Sequence, residues 1–144
     1  MEIFDQSEQD KIVQQISLAE GKTSGEIRLV VERKTKDKSA YERAKEYFEK
    51  LDMHKTTLRN GILIYMAVED HQFAVIGDAG IHSKVDVGFW ELVKEHMVVH
   101  FQEGNLVKGL CEGIREVGEQ LQHYFPRQDN DVNELPDDIH FGTN

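Results

Sequence analysis

Apolar positions along the chain follow two periods. Ile12, Val13, Ile16 and Ala19 fall on one stripe, which predicts a first helix over about Ser7 to Glu20. Ser7 and Asp10 resemble a capping box there, and Gly21 is the stop. Ala40, Ala44, Tyr47, Phe48 and Leu51 predict a second helix, opened by Ser39 and Glu42. Phe89, Trp90, Val93, Met97 and Phe101 predict a third, from about Val87 to Glu103, with Asp86 as its N-cap. Leu106, Leu110, Ile114, Val117 and Leu121 predict a fourth, up to about Tyr124, capped by Asn105. Gly109 and Gly113 on it would permit close helix packing.

Between these stretches the period shortens. Glu26 to Glu32 alternates, with Ile27, Leu29 and Val31 on one face and Arg28 and Glu32 on the other. Ile62 to Val68 is an unbroken apolar run, the signature of a strand buried on both faces. Glu69-Asp70-His71 reads as a reversal and Phe73 to Ile76 as the returning strand. The chain therefore predicts an α/β protein: a three-layer α/β/α sandwich around a mixed sheet, with one βαβ unit, one hairpin and two C-terminal helices. A βαβ crossover makes its strands parallel and is itself nearly always right-handed. Residues 1–126 form the expected domain, and 127–144 an acidic tail, partly docked, in which only Leu135-Pro136 and Ile139 to Phe141 are apolar enough to pack.

This topology gathers chemistry at one sheet edge. Glu26 opens the first strand, Asn60 precedes the second, and Asp78 lies in the Gly77-Asp78-Ala79-Gly80-Ile81 loop after the third. Asp86 follows closely. Carboxylates, an amide and loop carbonyls suit a hard divalent cation: calcium with six to eight oxygens, or magnesium in a tighter octahedron. The plainer alternative makes Asp86 a helix cap, Glu26 a surface charge and Asp78 a turn former.

Other constellations are weaker. His96 and His100 share a helix face at a spacing that suits zinc, but the metalloprotease glutamate is missing, and half-buried structural histidines are the favoured reading. Cys111 sits inside an amphipathic helix without a phosphate-cradling loop; it reads as a packing residue, with Glu112 expected to raise its pKa. Asp129-Asn130-Asp131-Val132-Asn133 alternates like a calcium loop, yet Glu134 stands where that loop needs Gly. The sequence carries no Walker loop, dinucleotide fingerprint or Gly-x-Ser-x-Gly elbow.

Composition narrows the partners. The 144 residues carry a formal charge of −10, which disfavours a nucleic-acid backbone and favours cations. One cysteine allows neither an internal disulfide nor a Cys-based zinc cluster. The N-terminus lacks the basic and apolar regions of a signal peptide, and no run approaches the ~20 apolar residues of a membrane span. The expectation is a cytoplasmic monomer with no membrane insertion.

Thr23-Ser24-Gly25-Glu26-Ile27, Asn60-Gly61-Ile62-Leu63, Gly77-Asp78-Ala79-Gly80-Ile81 and Phe101-Gln102-Glu103-Gly104-Asn105, in this order and spacing, resemble the TPM domain family. That family is named for a thylakoid lumen protein, a photosystem II repair protein and a nematode receptor regulator. The resemblance covers roughly Phe4 to Phe125. Leu51 to Gly61 and Asn133 to Ile139 look like one bacterial branch, in a stand-alone form. The resemblance implies an α/β sandwich whose acidic loop tips hold calcium or a similar ion, with Asp78 and Asp86 matching the family's acidic positions and Glu26 matching in part. It also implies a phosphatase-like activity, for which this chain offers no recognisable nucleophile. Three functions follow as expectations: a divalent-cation-binding module, a metal-dependent hydrolase of phosphate esters, and a protein-interaction module whose loops a cation stiffens.

Overall fold

Two strands at the centre of the sheet account for most of the architecture. In the computed structural model, which describes residues 3–127 and 139–142, β1 (Glu26–Glu32) and β2 (Gly61–Ala67) are buried nearly throughout. They pair in parallel, Glu26 against Gly61 through Glu32 against Ala67. The crossover between them carries α2 (Ala40–Lys50), capped by Ser39, and a single 3-10 turn, Met53–Lys55. Strand β3 (Gln72–Gly77) returns antiparallel along β2, completing the hairpin.

The remaining helices lie on the opposite face from α2. Helix α1 (Gln6–Glu20) begins one residue earlier than its stripe predicts. Asp5, not Ser7, is its cap, in a reciprocal capping box with Glu8. A short α3 (Ala79–His82) follows β3, then α4 (Phe89–Gln102) and α5 (Leu106–Tyr124). Asp86 does not cap α4. Its backbone carbonyl accepts from Phe89 N–H, while Gly88 occupies the cap position, so the helix starts two residues later than expected. Helix α5 has its expected bounds and Asn105 cap. Gly113 lets α5 approach α4: a Cβ there would stand 2.5 Å from Met97 Sδ.

One strand escaped the sequence patterns. Ile139–Phe141 forms β4, which pairs in parallel with β1 and gives the four-stranded order β3-β2-β1-β4. The segment has only three residues, too few for any periodicity to show. Asp129 to Glu134 and the Leu135-Pro136 pair lie outside the described residues.

Strand alternation divides the core into two clusters. Ile27, Leu29, Val31, Ile62, Ile64 and Met66 meet α1, α4 and α5. Val30, Leu63, Tyr65 and Ala67 meet α2, through Ala40, Ala44 and Tyr47. Glu32 lies on the α2 side and is fully buried. Its carboxylate accepts from Arg43 Nε (3.0 Å) and Nη2 (2.6 and 2.8 Å), from Tyr47 Oη–H (3.0 Å) and from Tyr65 Oη–H (2.8 Å). Burial pushes the Glu32 carboxyl up, but its bonds to Arg43, Tyr65 and Tyr47 outweigh that and hold it below its ordinary 4.5. Burial and the same carboxylate push Tyr47 up to about 12.

Removing one partner of a buried pair strands the other charge. Glu32→Ala should therefore cost about 3–5 kcal/mol of unfolding free energy, read from the urea midpoint. The depressed Glu32 carboxyl also fixes a pH dependence. Its contribution is complete above 4.5, the unfolded value, and is lost as pH falls through the lower folded value. The wild-type midpoint should fall over that interval more steeply than that of Glu32→Gln.

Candidate functional site

The sheet edge carrying Glu26, Gly61 and Asp78 is formed by register. Glu26 pairs with Gly61, and the antiparallel ladder continues to Asp78, whose N–H donates to Gly61 O at 2.9 Å. Asn60 O accepts from Glu26 N–H at 3.4 Å, and Asn60 Nδ2 donates to Ser24 Oγ at 3.4 Å. Glu26, Asn60 and Asp78 are all buried. Asp86 lies beyond α3 and is exposed.

The row is interrupted in space. Gly61 has no side chain, and Met53 fills the place: its Cε would lie 3.2 Å from a Cβ at Gly61. Met53 is fully buried. An apolar side chain thus stands over the strand that separates Glu26 from Asp78.

Asp78 has its own partner. Arg59 Nε and Nη2 donate to its two oxygens at 2.6 and 2.8 Å, and Ala79 N–H donates at 2.7 Å, which makes Asp78 the cap of α3. Burial pushes the Asp78 carboxyl up, but the Arg59 and Ala79 bonds hold it below its ordinary value. The Arg59 side chain is half exposed. Its backbone is left-handed (φ 53°), as is that of Asp52 (φ 60°), so the 52–60 loop is bounded by two strained non-glycine positions.

The same loop leaves polar atoms buried without hydrogen-bond partners, namely Thr56 Oγ1 and His54 Nδ1. Thr56 is only 4% exposed. His54 and Arg59 of this loop line a cleft of about 340 Å³ between α2 and the β3 end, with Lys45, Glu49 and Asp78 and the aromatic rings of Tyr41 and Phe48.

A second group lies on the α4–α5 face. His96 Nδ1 is 2.8 and 3.0 Å from the two oxygens of Glu116. One ligand atom from each of His96, Glu112 and Glu116 lies within 4.8 Å of the others, so the trio has the composition and spacing to hold a metal ion. It is the group of this kind among the described residues. The His96 side chain is about half exposed and has Glu116 as an acidic partner. Helix faces were visible in the sequence, but the pairing of His96 with Glu116, twenty residues away, was not.

Cys111 packs partly buried against the larger core cluster. Burial, rather than Glu112, pushes its thiol up, with Lys11 opposing. A thiol so placed is a poor nucleophile. Among the described residues no helix is long and apolar enough to cross a membrane.

A TPM domain family model matches residues 1–120. Among solved structures, the chain is similar to BA42 from the psychrophilic bacterium Bizionia argentinensis, with 40% identity, a TM-score of 0.91, and coverage of 98% of this chain and 97% of that one. More distant matches share the fold alone. The N-terminal domain of a P. gingivalis protein is 16% identical with a TM-score of 0.68, covering 88% of this chain and 83% of that one. The N-terminal domain of cg2496 from Corynebacterium glutamicum is 9% identical with a TM-score of 0.61, covering 92% and 82%. No curated protein matches the chain.

If Arg59 is what keeps Asp78 ionised, Arg59→Ala leaves burial as the main influence. The Asp78 carboxyl carbon, followed by NMR against pH, should then titrate at higher pH than in the wild type. An unchanged midpoint would assign the effect to the Ala79 N–H instead.

Proposed function

The chain belongs to the TPM domain family, and on that premise we propose that it is a divalent-cation-binding domain whose site is the loop edge of the sheet. Asp78 and Asp86 are the first carboxylates, with Glu26 and Asn60 behind them. Calcium is the leading ion, and magnesium the second. The observation that carries this reading is the 52–60 loop beside Asp78. It buries the Thr56 hydroxyl oxygen without a hydrogen-bond partner, and it supplies the half-exposed Arg59 that pairs with the Asp78 carboxylate. Buried polar oxygens are normally satisfied, and an unsatisfied one in the loop that partners Asp78 adds an oxygen donor of the kind a hard cation takes. Arg59 occupies the Asp78 carboxylate in place of the ion. Met53 makes Glu26 an outer contributor to the negative field rather than a neighbour of Asp78.

The cleft beside this edge favours a second reading, hydrolysis of phosphate esters. Lys45, His54 and Arg59 line it with cationic or protonatable groups, and Tyr41 and Phe48 add aromatic surface. Such a lining suits a phosphate-bearing ligand. A cation at Asp78 would supply Lewis acidity and a water of lowered pKa.

Titrating calcium, then magnesium, into chelator-stripped protein should produce saturable amide shifts clustered at 52–61 and 77–87. Asp78→Asn should weaken binding by more than about tenfold, whereas Arg59→Gln should strengthen it by removing the competing charge. Absence of shifts at millimolar ion would remove the reading. The hydrolase reading requires turnover of a simple aryl phosphate that vanishes both in chelator and in Asp78→Asn. Cation-loaded protein that turns over nothing would leave binding alone.

A further inference from the structure

We infer that His96, Glu112 and Glu116 form a second metal site, for a borderline transition ion of the zinc class, separate from the hard-cation edge. The loop edge presents oxygen atoms. This site adds an imidazole nitrogen, the donor that zinc-class ions prefer and calcium does not use.

The framework is rigid. Glu112 and Glu116 are one turn apart on α5, and His96 faces them from α4. Gly113, between the two glutamates, holds the helices close by admitting Met97. Tetrahedral zinc with bonds of about 2.0–2.2 Å needs its ligand atoms roughly 3.4 Å apart. Donor atoms already within 4.8 Å of one another reach that spacing by side-chain rotation. Three protein ligands leave the fourth position open, the arrangement of a reactive or exchangeable zinc site rather than a closed structural one.

Glu112 and Glu116 set two carboxylates against the His96 ring, a donor group of one nitrogen and two oxygens. His100 lies one turn along α4 from His96. His100 Nδ1 is buried without a hydrogen-bond partner. This ring nitrogen lies outside the His96–Glu112–Glu116 group. Arg115 now pairs with Glu112 and, at 3.9 Å, approaches Glu116. It is half exposed and also bonds Glu119, so it can release Glu112 without losing every partner.

Calorimetric titration of zinc into the chelator-stripped full chain, with cobalt absorbance as a second readout, tests the site. One saturable site is expected, weakened by more than about tenfold in His96→Ala and in Glu116→Gln and unchanged in Asp78→Asn. His96 is exposed, so its variant keeps the fold, which its amide spectrum verifies. Zinc-induced shifts of the His96 ring nitrogens would identify it as a ligand directly. No binding at millimolar zinc, or binding that survives His96→Ala, overturns the proposal. Binding lost only in Asp78→Asn also overturns it and transfers the ion to the loop edge.

Discussion

The parallel pairing of β1 with β2 is the constraint on which the rest depends, and a buried charge closes one end of it. Glu32 ends β1 with no access to water, and it is tolerable there only because Arg43 and Tyr47 from α2, and Tyr65 from β2, use its acceptor sites together. The crossover helix is thereby tied to both strands that it connects. At the opposite end the same register leaves Glu26, Gly61 and Asp78 in a row, with Met53 of the 3-10 turn over Gly61. One end of the sheet is neutralised, and the other keeps its chemistry.

The two ends solve the desolvation of a carboxylate differently. Glu32 has a nearly buried arginine and two phenols, a fixed arrangement that favours rigidity. Asp78 has a half-exposed arginine on a loop bounded by two left-handed non-glycine residues. A buried acid with a removable counter-charge is what a cation site requires, because the ion must replace a partner without leaving a stranded charge. On the α4–α5 face the half-exposed Arg115 pairs with Glu112, and the imidazole of His96 meets Glu116.

Much of this was legible in the residues. The α5 bounds, the Asn105 and Ser39 caps, the hairpin and the parallel unit all follow from periodicity and short-range capping chemistry, which act within a few residues. The shared edge of Glu26, Asn60 and Asp78 follows from topology alone. Asp86 misled because an acidic residue before an apolar stripe is the usual cap, whereas here the chain makes one more turn and Gly88 takes that place. Met53 and Arg43 were hidden for a related reason. A methionine in a loop and an arginine on a helix are ordinarily solvated, and only the partner surface shows that each is buried.

Local sequence therefore determined which segments became helices and strands and which carboxylates ended near the open edge, since those depend on spacing along the chain. Tertiary structure alone decided what each carboxylate faces: Arg59 on Asp78, Met53 over Gly61, Arg43 on Glu32, and His96 against Glu116. Charge compensation and metal geometry act through space over a few ångströms, between residues far apart in the chain. β4 belongs with these, because three residues carry no period and become a strand only where β1 offers them an edge.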